Sequence, residues 1–142
     1  MARMNRNLLI YSLIGVGLSA SLAASFQSRL TVHPYVTWIG ACTIVTWAFY
    51  AWDKRAAELA QLSKRLKGWR VPELTLNLLA LIGGFLGAWV GRAMFNHKTN
   101  VKRHRGILVV LIVSVLLHAV IVVRLFYGPP LQFWPPSNWI AF

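Results

Sequence analysis

The chain has 142 residues, 57% of them hydrophobic, and carries 15 Lys and Arg against 3 Asp and Glu, a formal charge of +12. Apolar content that high excludes a disordered basic tail, and soluble domains hold only roughly 45–50% apolar residues with about 25% charged. A soluble basic domain is excluded by how the apolar residues are distributed. Leu8 to Phe26, Tyr35 to Trp52, Leu74 to Gly91 and Ile107 to Val123 contain no Lys, Arg, Asp or Glu and run 19, 18, 18 and 17 residues. Those lengths approach the ~20 residues needed to cross a bilayer core of ~30 Å. The fold class expected is an all-α integral membrane protein. About half of the chain lies in these stretches, and the longest stretch outside them, Asp53 to Glu73, has 21 residues. It is too short to bury a core of its own.

In chain order, Arg3 and Arg6 precede the first apolar run, and Ser21-Leu22-Ala23 resembles a small-residue cleavage site. The run nevertheless continues through Phe26 at full spanning length, so it is read as a retained helix rather than a signal peptide. Gly15, Ser19 and Ala23 recur at spacing four, with Gly17 and Ser21 alongside, a small-residue face on which another helix can pack. Arg29 and His33-Pro34 mark a tight connection, because proline disfavours helix in the residue before it. The second segment holds Cys42, the one cysteine of the chain, read as a small buried hydrophobe. That segment ends in Trp47, Phe49, Tyr50 and Trp52 before Asp53-Lys54-Arg55, and rings followed by cations mark a membrane–water interface.

Ala56, Leu59, Leu62 and Leu66 recur at helical steps among Lys54, Arg55, Glu58, Lys64, Arg65 and Lys67. The periodicity predicts an amphipathic helix over 54–67, stopped by Gly68 and lying on an anionic membrane face or docking a partner. Pro72 and Glu73 suit the start of the next helix, where a missing N–H costs little and a carboxylate favours the dipole. Asn77 shares a face with Glu73. His118 is the one polar ring in the fourth segment and is costly in lipid; an interhelical hydrogen bond is expected of it. The tail from Gly128 to Phe142 contains four of the six prolines and is expected to lie along the interface.

Charge decides the expected topology. If all four segments span, nine Lys and Arg fall on one side and six on the other, a weak positive-inside bias. If the third segment enters and returns, thirteen share one side and only Arg29 and Arg124 lie opposite. Gly83-Gly84, followed by Gly87, supplies a hinge, with legs of roughly 13 Å each. The same glycines with Gly91 also form a close-packing stripe for a straight helix. Charge arithmetic favours three full spans plus a re-entrant hairpin; a fourth span is the alternative.

The polar residues bracketing the third segment are the one constellation with chemical promise. Lys54, Arg70, Arg92 and Lys98 are expected to form an anion- or headgroup-binding surface, each cation contributing on the order of 1 kcal/mol near an anionic leaflet. Asp53, Asn77 and His118 are read as structural polar groups. Catalytic residues are not assigned; Glu73 and His97 are the groups able to transfer a proton. His97 and His104 lack a metal-binding spacing, so no metal and no cofactor are expected. Nucleic acid is the compositional rival for a +12 chain, but the cations abut membrane segments, and lipid phosphate is nearer.

Asp53-Lys54, Trp69-Arg70-x-Pro72-Glu73-x-Thr75-Leu76, Gly83-Gly84 with Gly87-Ala88, and Phe95-x-His97-Lys98-Thr99 together resemble the signature of a bacterial family catalogued as domain of unknown function 1294, over roughly Tyr50 to Val123. The resemblance implies a small membrane protein, joined in some members to a cold-shock nucleic-acid-binding domain that is not read here. It supplies no reaction. The linker before Trp69 is longer than usual for that family, and Asn77 stands where a histidine is common. The expected organisation is an N-terminal helix pair over 1–49, a family-like membrane domain over 50–127 with a basic connector at 53–72, and an interfacial tail over 128–142. The expected function is that of an accessory or assembly subunit whose basic cytoplasmic face binds anionic lipid, a protein partner or a second copy. The alternative is an enzyme or carrier for a phosphorylated lipid-like substrate. The expected location is the bacterial inner membrane, multi-pass, with the N-terminus cytoplasmic.

Overall fold

The computed structural model describes residues 2–62, 70–95 and 105–128. Every regular element among them is helical: α1 (Ala2–Gln27), α2 (Pro34–Leu62), α3 (Glu73–Leu79), a π-helical turn (Ala80–Gly84), α4 (Phe85–Phe95) and α5 (Arg105–Tyr127). Trp69, Asn96, His97, Lys98, Thr99, His104, the basic residues Lys64, Arg65 and Lys67, and the tail beyond Gly128 lie outside the described residues.

Three helical stretches are long and apolar enough to cross a membrane: Arg6–Gln27, Glu73–Phe95 and Gly106–Tyr127. The middle one is not continuous α-helix, because Gly83 breaks it with φ 141° and ψ −9°. Conversely, α2, expected as a full span, is the longest helix at 29 residues but is not one of the three.

α1 and α2 run antiparallel. Tyr11 lies with Ala48, Phe49 and Trp52 at one end, and the Thr37 hydroxyl donates to Gln27 Oε1 at 2.9 Å at the other. The expected small-residue face of α1 is buried at Gly15, Ser19 and Ala23. Gly17 and Ser21 do not share it; both are exposed, because their positions rotate them toward the outside of the bundle. α5 also runs antiparallel to α2. Ile107 and Leu111 pack with Tyr50, while His118 stacks on Tyr35 and Phe126 meets His33.

Residues 71–95 lie against α2 twice. The Val71 N–H donates to Asp53 Oδ1 at 3.1 Å. The chain then descends until Trp38 Nε1 donates to the Ile82 carbonyl at 2.7 Å and Gly83 meets Ile39 and Cys42. From there α4 climbs back, with Gly84 against Thr46, Gly87 against Thr43 and Trp47, and Gly91 against Tyr50. Cys42 and Asp53 are separated by roughly 17 Å of helix, so the turn at Gly83 reaches deeper than equal legs of about 13 Å. The glycines divide their work: Gly83 supplies the turn, and Gly84, Gly87 and Gly91 supply the close packing.

A broken helix leaves carbonyls without intrahelical partners, and in an apolar surrounding these must be satisfied. Trp38 serves Ile82, and the Ser114 hydroxyl donates to the Ala80 carbonyl at 2.7 Å. Around this turn the core packs Tyr50, Val71, Leu76, Ala80, Ala88, Ile107 and Leu111.

The basic stretch after Trp52 departs from expectation. It does not begin a separate amphipathic helix; α2 continues unbroken to Leu62. Nothing in Asp53-Lys54-Arg55 stops the backbone ladder.

Candidate functional site: the basic end of the helical bundle

Asp53 sits where α2 passes the return of the chain at residue 70, and its carboxylate is completely buried. A buried carboxylate requires hydrogen bonds or a paired charge. Oδ1 accepts the Val71 N–H, and Arg70 Nε lies 3.6 Å from the same oxygen. Asp53 therefore latches the 70–71 backbone onto α2 and orients Arg70, whose side chain stays 46% exposed. Lys54, one residue on, points elsewhere and pairs with Glu58 at 3.4 Å in an i,i+4 contact on the outside of α2.

Tyr50, one turn below Asp53, is also fully buried. The charges of Arg92, Glu73 and Asp53 all act on it. Glu73 opens α3 and Arg92 occupies the last turn of α4, each half-buried. The fold thus brings Asp53, Arg70, Glu73 and Arg92 to one end of the bundle, with Lys54 on its rim. Asn77 is half-buried one turn below Glu73. His97 and Lys98 are outside the described residues. Among the described residues, no three His, Cys, Asp or Glu side chains converge on a metal-sized point.

His118 is not part of this group. It lies toward the opposite end, 5% exposed, with its ring 5.0 Å from that of Phe85 and 6.2 Å from that of Tyr35. The expected interhelical hydrogen bond is absent among the described residues. Nδ1 instead donates to the Ser114 carbonyl at 2.8 Å within α5, because one helical turn brings that carbonyl nearer than any group across the interface. The interhelical bond is made by Ser114 itself. Sequence reasoning missed Ser114, Trp38, and the contact between the Ser12 and Thr75 hydroxyls at 3.2 Å. A serine four residues before a buried histidine was the available signal for Ser114.

The class defined by this arrangement is a small protein, helical in its regular described elements, with helices long and apolar enough for a membrane, whose glycine-hinged segment is latched by a buried aspartate near Arg70 and Arg92. The family described as "Protein of unknown function (DUF1294)" matches residues 43–104. "Uncharacterized protein YsdA" of Bacillus subtilis (strain 168) is 34% identical over 78 residues, which cover 54% of this chain and 74% of that protein. The chain belongs to this family. The matched region opens within α2, at Thr43, seven residues before the expected start, and closes at His104. No solved structure matches the chain.

Proposed function

We propose that α1, α2 and α5 span a bacterial inner membrane, that residues 73–95 form a re-entrant hairpin, and that the basic end of the bundle is cytoplasmic. There it binds anionic lipid headgroups as the working surface of an accessory or assembly subunit. The carrying observation is that Val71 and Gly91 lie against Asp53 and Tyr50, three residues apart on α2. With both ends of the hinged segment at one end of α2, chain order assigns thirteen of the fifteen cations to that end. Only Arg29 and Arg124 fall opposite. The positive-inside rule makes the richer end cytoplasmic, and each cation near an anionic leaflet contributes on the order of 1 kcal/mol. Beneath the cations the interior is filled: Tyr50, Leu76, Ile107 and Leu111 are each at most 1% exposed. A packed floor suits a binding surface better than a reaction chamber.

A second reading, an enzyme or carrier for a phosphorylated lipid-like substrate, draws on Arg70, Arg92 and Lys98 for the phosphate and on Glu73 or His97 for proton transfer. It is favoured by the buried Tyr50 hydroxyl, which has no hydrogen-bond partner among the described residues.

The test is thermal unfolding of the protein in nanodiscs of phosphatidylglycerol or phosphatidylcholine. The melting temperature should be higher in the anionic lipid, and the difference should shrink as salt rises. A Lys54→Gln, Lys64→Gln, Lys67→Gln variant should lose much of that difference. Equal melting temperatures in the two lipids would refute the headgroup-binding surface, and turnover of an added lipid phosphate would establish the second reading.

A further inference from the structure

At the cytoplasmic end, α1 and α2 part to leave a groove of about 260 Å³ lined by Tyr11, Ile14, Ala48, Phe49 and Trp52. We infer that this groove is a specific site for one anionic phospholipid, its acyl chain against Ala48 and Ile14 and its phosphate at Arg55. The inference rests on the proposed cytoplasmic, lipid-facing orientation of the basic end.

Three observations point to this occupant. The lining is apolar at its deep end and aromatic at its mouth, where Trp52 is 51% exposed. Indole and phenol rings prefer the level of the headgroups and the upper acyl chain. Arg55 lies three residues beyond Trp52 and seven beyond Ala48, so helical periodicity puts it on the same face of α2, about 10 Å above the groove floor. It is exposed, and a guanidinium matches phosphate oxygens bidentately. Across the groove, Asn7 stands one turn above Tyr11 on α1 and carries a shorter amide donor. Charge and apolar surface are thus arranged in the order of a phospholipid, phosphate outward and hydrocarbon inward. Lys54, by contrast, is already paired with Glu58.

Native mass spectrometry of the detergent-solubilised protein, titrated with phosphatidylglycerol or phosphatidylcholine, tests the site. One phosphatidylglycerol should be retained by the unaltered protein. Ala48→Trp, which fills an exposed position, and Ile14→Trp should each abolish that adduct, and Arg55→Gln should weaken it about tenfold. The triple Lys→Gln variant should keep it while losing the anionic-lipid gain in melting temperature. Retention of the adduct by both tryptophan variants would overturn the groove and leave the basic surface standing. Absence of any phosphatidylglycerol preference in both assays would overturn the surface and the groove together. Dimers that Ala48→Trp disperses, without a lipid adduct, would assign the groove to a second copy and overturn the lipid.

Discussion

A β-carbon on Gly87 would occupy the space held by the Thr43 carbonyl, with the Trp47 amide nitrogen only 3.0 Å away. Both obstacles are α2 backbone, which cannot rotate aside, so α2 and α4 would have to separate. Gly17 presents the opposite case: it lies on the outer face of α1, and a β-carbon there would meet nothing within 4 Å. At that position alanine removes about 1 kcal/mol of helix-propensity penalty. Gly87→Ala should therefore destabilise the protein by about 1–3 kcal/mol through overpacking, while Gly17→Ala should leave stability unchanged or raise it. Steric-trap or thermal unfolding in micelles reads both, and equal effects of the two substitutions would contradict the close α2–α4 contact. Asp53 acts at the same scale. It leaves no visible signature in the pattern of apolar residues, but a carboxylate with no exposed surface identifies itself by its partners, the Val71 N–H and Arg70.

The turn between α3 and α4 depends on side chains from two other helices. Trp38→Phe removes the donor to the Ile82 carbonyl, and Ser114→Ala removes the donor to the Ala80 carbonyl. Each substitution should cost roughly 0.6–2 kcal/mol, the range found for hydrogen bonds between membrane helices. Because both bonds hold one turn, the double variant should depart from additivity. Hydrogen exchange at residues 80–84 should accelerate in each single variant while the α1 amides remain protected; uniform acceleration would mean that the turn has no separate stability. These bonds also mark where sequence reading stopped. Gly83-Gly84 announced a hinge because few residues other than glycine accept φ 141°, and the spacing of Gly15, Ser19 and Ala23 announced a packed face. The carbonyls of Ala80 and Ile82 carry no residue-type signal, so their donors could not be paired in advance. Charge alone made Asp53–Arg70 and Glu73–Arg92 equally available as pairs, whereas their gathering at one end of the bundle needed the turn to be placed first. The end of α2 was misjudged because a run of charged residues changes the face a helix displays without changing its backbone hydrogen bonds.

For the whole molecule, the asymmetry of charge and the path of residues 71–95 make one claim about sidedness. Arg70 precedes the hinged segment and Met94 closes it; both are exposed, the latter at 61%. A straight span would place these two residues on opposite sides of the bilayer. A hairpin turning at Gly83 places them on the same side, with Asp53, and puts the short connection at Arg29 on the other. Cys42 is fully buried and is the one native thiol, so a Cys42→Ser background should tolerate single introduced cysteines. In sealed inner-membrane vesicles of known orientation, Arg70→Cys and Met94→Cys should both react with a membrane-impermeant maleimide from the cytoplasmic face, and Arg29→Cys only from the periplasmic face. Labelling of Arg70→Cys and Met94→Cys from opposite faces would make the segment a span. It would also divide the cations nine to six and remove the physical basis for a single anion-binding surface. Labelling from one shared face fixes the orientation of the entire bundle, because α1, α2 and α5 are tied to that segment through Leu79 at Gly15, Trp38 at Ile82 and Ser114 at Ala80.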